Sequence, residues 1–170
     1  MKFSSQKGYS VVEILVYLAI FTAVSVLVIN SYIVMMGSFS ATRSNRDILE
    51  SGSTIMERVS REIRQAKNID VTNSTLNASA GALQLNTTDA NNVARTAKVV
   101  LVNGVVNLYS DGVLVGALGG QNINTTSLIF RRIVTTNGEA VKIELTIQNT
   151  RGKINQTENF YDTIILRGSY

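Results

Sequence analysis

Chemistry-bearing side chains are sparse in this 170-residue chain. It has no cysteine and no histidine. That excludes disulfide staples, thiolate zinc sites, cysteine nucleophiles and histidine acid–base work. The later carboxylates Asp111, Glu139, Glu144, Glu158 and Asp162 stand singly among strand-like and turn-like segments. They lack calcium-loop spacing, and no glycine loop has phosphate-binding form. No enzyme activity, cofactor or metal is expected. Arg131-Arg132 is a basic pair within a strand-like run, and alternation puts one on each face or at an edge. A solvated or subunit-bridging role fits that pair better than nucleic-acid contact. The acid in unusual surroundings is Glu13, at the head of an apolar run with no charged side chain from Ile14 to Thr42. A lone carboxylate there is costly in hydrocarbon, so it needs a partner or a role.

The element that carries Glu13 is long enough to cross a bilayer, for which about 20 apolar residues suffice. A secretory signal peptide has a shorter apolar core, roughly 7–15 residues, followed by a small-residue cleavage site. Neither feature fits here. Lys2 and Lys7 precede the run closely and favour a cytoplasmic N-terminus, while Arg43 and Arg46 beyond it pull the other way. On the plainest reading Glu13 is an interfacial residue at the cytoplasmic edge of a signal anchor. Tyr17, Phe21 and Met35-Met36 read as lipid-facing or helix-packing residues.

A second pattern follows without a break. Ile48, Ile55, Val59, Ile63 and Ala66 recur at helical spacing, with Gly52 filling the gap in the stripe. Glu57 and Arg61 sit four apart in the favourable order, and Arg64 and Lys67 suit the last turn of a helix. The chain has no proline, and isolated Gly37 and Gly52 weaken a helix without ending it. One helix from about Tyr9 to about Lys67 is therefore expected, on the order of 90 Å long at about 1.5 Å per residue.

The chain changes character at Asn68. Up to about Ala97 it is rich in Asn, Thr, Ser and Ala, which predicts loops with a short strand around Leu83-Gln84-Leu85. Lys98–Val102 and Val105–Tyr109 flank Asn103-Gly104, a strong hairpin cue. Asp111-Gly112 and Asn137-Gly138 mark two further turns, and Gly116 to Thr126 reads as a polar connection. Ser127–Thr135, Ala140–Gln148 and Phe160–Arg167 complete six or so strands. The alternation in Val141–Ile147 predicts a sheet with one buried face, and the stripe of the long helix is its natural cover. The expected fold is thus α+β: a long N-terminal helix, membrane-spanning in its first half, packed by its C-terminal half against an antiparallel β-sheet domain.

The stretch Lys7-Gly8-Tyr9-Ser10-Val11-Val12-Glu13-Ile14-Leu15-Val16 resembles the start of type IV prepilins and type II secretion pseudopilins. Their shared signal is a short basic leader ending in glycine, an aromatic residue, three intervening residues, a glutamate and an apolar helix. The combination is specific and covers about the first 35 residues. The order of the later strands resembles, more loosely, J-type minor pseudopilins and W-type minor pilins.

The resemblance implies a leader over residues 1–8, a transmembrane and filament-core helix over 9–42, its amphipathic continuation over 43–67 and a β-rich domain over 68–170. It implies cleavage between Gly8 and Tyr9 by a prepilin peptidase, N-methylation of Tyr9, and an assembly contact for Glu13 with the N-terminal amine of a neighbouring subunit. A carboxylate among apolar helices is tolerable if a cation meets it. The implied partners are other pilin or pseudopilin subunits, the peptidase, an inner-membrane assembly platform and the lipid bilayer. The implied location is the inner membrane, N-terminus cytoplasmic and globular domain periplasmic or extracellular. Asn30 stands where many major pilins have proline, and there is no disulfide-closed C-terminal loop; both departures set this chain apart from major pilins. A second hypothesis makes the Asn/Thr-rich loops (68–97 and 116–126) an adhesive or DNA-contacting surface at a filament tip.

Overall fold

The computed structural model describes residues 10–89, 91–136, 138–150 and 156–167. One helix, α1 (Val11–Gln65), precedes eight strands. These are β1 (Asn68–Ile69), β2 (Ala82–Thr88), β3 (Ala94–Val102), β4 (Val105–Ser110), β5 (Val113–Leu118), β6 (Ile123–Thr135), β7 (Gly138–Asn149) and β8 (Thr157–Ile165). The fold is α+β. The chain forms two compact units, with the boundary between Thr42 and Arg43.

In the first unit the helix is apolar on every side, and its large side chains from Val11 to Phe39 are exposed. In the second unit the helix becomes two-faced. Ile48, Ile55, Val59 and Ile63 are buried along one stripe, and Ala66 continues it just past the helix end. Buried Ser44, Ser51, Gly52 and Ser60 lie on the same side, and their small size lets strands approach the helix backbone. The helix closes with a tight turn, the Ala66 amide donating to the Ile63 carbonyl at 3.1 Å. The Lys67 amide then donates to the Asn86 carbonyl at 2.8 Å, so the chain passes directly from helix to sheet pairing.

The sequence suggested one sheet; there are two. β1-β2-β3-β4-β5 form a five-stranded antiparallel sheet, and β6-β7-β8 a three-stranded one. The segment between β1 and β2 joins them. The Gly81 amide donates to the Leu128 carbonyl, and the Leu128 amide to the Ser79 carbonyl, each at 2.8 Å. Residues of both sheets and of the helix share one core running from Ile48 to Leu166, with Phe130, Leu83, Leu85, Ile143 and Leu145 among its fully enclosed members. Every residue of that core belongs to the second unit, so the unit carries its own means of folding.

Two hairpins follow their turn chemistry. Asn103 and Gly104 have φ of 50° and 76°, and Asp111 and Gly112 of 50° and 81°, the doubly left-handed form that suits two-residue hairpins. β6 and β7 pair up to Thr135 and Gly138; Asn137 itself lies outside the described residues. From Val141 to Asn149 β7 alternates buried and half-buried residues, as the Val141–Ile147 sequence predicts.

Three expectations about the sheet region need correction. Residues 68–97 hold more than a short strand, because polar Asn86, Thr87 and Thr88 pair with Thr96, Arg95 and Ala94. The polar connection runs only over residues 119–122. Gly116, Ala117 and Leu118 pair with Leu108, Asn107 and Val106, and Ile123 already pairs with Asn149. Among the described residues the strands number eight rather than six or so. In each case a neighbouring strand supplies hydrogen bonds that local propensity does not foretell.

Candidate functional site

Ser10 opens the helix, its carbonyl accepting from the Glu13 amide at 3.0 Å and the Ile14 amide at 3.2 Å. Glu13 therefore lies in the first turn, where the partial positive charge of the helix N-terminus favours an acid. Behind it the helix is strongly apolar, and that stretch is not buried. The helix is long and apolar enough to cross a membrane.

Three hydroxyls on this part of the helix are satisfied from within. The Thr22 hydroxyl donates to the Leu18 carbonyl at 2.7 Å, Ser25 to Phe21 at 2.8 Å and Thr42 to Ser38 at 3.0 Å. Such back-bonding suits a helix surrounded by lipid, where no water is present to take these groups. Glu13 is treated the same way: the Tyr17 hydroxyl donates to its Oε1 at 2.9 Å. Its place in the apolar run predicts only a packing role for Tyr17, and the contact with Glu13 goes beyond that expectation. The signal was the spacing of four, which sets the two side chains on one face. Gly8 and Tyr9, the expected cleavage junction and methylation site, lie outside the described residues.

Among the described residues, no three acids come together as a metal site would require. A groove of about 490 Å³ runs between Arg43, Asp47, Glu50 and Ser51 on the helix and the 117–122 segment. A second, of about 640 Å³, lies by the helix C-terminus beside Lys67, Asp89, Arg95 and Arg167.

Arg131 and Arg132 are both engaged. The Arg131 Nε donates to Glu144 Oε1 at 2.9 Å and its terminal nitrogen to Oε2 at 3.2 Å, while Arg132 pairs with Glu139. Lys142 Nζ reaches the same Glu144 oxygen at 2.9 Å and stands 5.9 Å from the centre of the Tyr161 ring. Hydrogen bonds from Arg131 and then Lys142 hold the Glu144 carboxyl well below the ordinary range, at a pKa of about 2.

Comparison with protein-family models, curated proteins and solved structures finds no match.

Proposed function

We propose that this chain is a structural subunit of a type IV pilus or type II secretion-like filament, a minor pilin or pseudopilin rather than an enzyme. The observation that carries the reading is the first part of α1. It is apolar and exposed on all sides, with one acid in its first turn, while the last part of the same helix is covered by sheets. Such a surface is stable in lipid, or among other helices of the same kind. A chain able to occupy both settings suits a subunit that waits in a membrane and then enters a helical filament core. The spacing of Gly8, Tyr9 and Glu13 supplies the family resemblance. In this reading the prepilin peptidase cuts after Gly8, Tyr9 is methylated, and Glu13 meets the N-terminal amine of a neighbouring subunit. The N-terminus begins cytoplasmic in the inner membrane, and the sheet unit lies on the other side. Assembly proceeds on an inner-membrane platform.

A DNA-contacting tip is the less favoured reading, because Arg131 and Arg132 are already occupied by Glu144 and Glu139.

The test uses two variants in cells that hold a prepilin peptidase and a filament system. Gly8→Leu is expected to stay at precursor size. Glu13→Ala is expected to be cut normally and yet be missing from sheared filaments. A Gly8 variant that still runs at mature size would sink the proposal, and normal incorporation of Glu13→Ala would remove the pairing role.

A further inference from the structure

Tyr17 stands one helical turn beyond Glu13, and its hydroxyl donates to Glu13 Oε1 at 2.9 Å. Both side chains lie on the outer surface of the helix, Tyr17 being 57% exposed. Glu13 Oε2 has no hydrogen-bond partner among the described residues. An ionised carboxylate can accept at both oxygens, with roughly four lone-pair positions. The tyrosine therefore satisfies one side of the acid and leaves the other open. No charged side chain between Ile14 and Thr42 is present to fill it.

We infer that Tyr17 is a positioning residue for Glu13: it holds the carboxylate against its own helix and presents the free oxygen to a cationic donor on a neighbouring helix. The inference rests on the filament reading and names the residue that prepares the acid for it. Two costs explain the need. A carboxylate in an apolar setting requires a donor before its partner arrives. A glutamate with free rotamers must also lose them on association, and ordering it beforehand removes that cost from the assembly step. Phenylalanine at position 17 would pack and meet lipid as well as tyrosine does, so packing alone gives no use for the hydroxyl. Tyrosine side chains on helices lean toward the N-terminus, which directs this hydroxyl back to Glu13.

The test compares the wild-type chain with Tyr17→Phe, using full-length protein labelled with ¹³C at the glutamate carboxyls and held in lipid nanodiscs. The Glu13 resonance is identified by its loss in Glu13→Gln. Tyr17→Phe is expected to move the Glu13 line while the other glutamate lines stay in place. In cells, the same variant is expected to be cut at wild-type rate and to enter filaments about threefold less well, the usual scale of one hydrogen bond in a membrane. An unmoved Glu13 line overturns the inference, and so does a moved line with wild-type incorporation. If the wild-type chain itself never enters filaments while the line still moves, the Tyr17–Glu13 pairing stands and the filament reading fails.

Discussion

The ring of Phe160, on strand β8, rests on Gly52 of α1 so closely that a Cβ at position 52 would overlap three of its ring atoms. The contact explains the break in the helix stripe. Ile48 and Ile55 are buried on either side of Gly52, and the aromatic ring fills the space a further aliphatic would have taken.

Gly52→Ala tests this contact because two effects oppose each other. Replacing a helical glycine gains about 1 kcal/mol of helix propensity. Forcing a ring out of a packed site costs roughly 1–3 kcal/mol. The expected balance is a loss of about 1 kcal/mol, seen as a melting temperature about 4 °C lower for residues 43–170. With Phe160→Leu in the background the same change is expected to be neutral or stabilising. A more stable Gly52→Ala with Phe160 intact would refute the contact.

The helix half of this fold was legible because its signal is local. Ile48, Ile55, Val59, Ile63 and Ala66 announce themselves by spacing alone, and all five are buried. The Asn103-Gly104 and Asp111-Gly112 turns were legible for a similar reason, since few other pairs accept left-handed backbone at both positions. The division into two sheets was not. Alternation says which face of a strand is buried, but it does not say which strand lies beside it. The polar partners that cross the core, such as Glu62 with Arg95 and Ser44 with Asn149, are also invisible to periodicity. Tyr17 is a different case. Its spacing from Glu13 is plain in the sequence, but an aromatic in an apolar run usually packs, and nothing local marks its hydroxyl as engaged.

Ser44 and Asn149 form a buried polar pair at the start of the sheet unit. The Asn149 amide donates to Ser44 Oγ at 2.7 Å and lies 3.4 Å from the Ser44 carbonyl, with Asn149 only 1% exposed. Ser44→Ala removes this acceptor, at a cost of about 1 kcal/mol. Urea unfolding of residues 43–170 is expected to show a lower midpoint with an unchanged slope. An unshifted midpoint would show that another partner satisfies the amide.

Glu62 is 3% exposed and joins two arginines, Arg58 at 2.9 Å through Oε1 and Arg95 at 3.0 Å through Oε2. The Arg95 Nε is itself buried with no partner among the described residues, so this arginine depends on Glu62. Breaking one side of a fully buried ion pair costs roughly 3–5 kcal/mol, and the partial exposure of both arginines lowers that to about 2 kcal/mol for Glu62→Gln. Arg58→Ala, made at the more exposed partner, is expected to cost under about 1 kcal/mol. Equal losses for the two variants in thermal unfolding would rule out the central role of the acid.

Glu144 ties stability to acid. Its carboxyl titrates near pH 2 in the folded chain because Arg131 and then Lys142 bond its charged form, whereas an unfolded glutamate titrates near pH 4.3. The unfolded chain therefore takes up this proton first as pH falls. The stabilising contribution is complete above about pH 5 and is lost between about pH 4.5 and pH 2. Asp70 acts in the same direction, held low by the Asn73 side chain and backbone, so some acid sensitivity remains without Glu144. Glu144→Gln is expected to be less stable than the wild type at pH 7, with the gap closing steadily below pH 4.5. Urea midpoints for residues 43–170 from pH 7 to pH 2 measure this directly. A gap that is constant across the range would mean that the Arg131 and Lys142 contacts do not favour the ionised carboxylate.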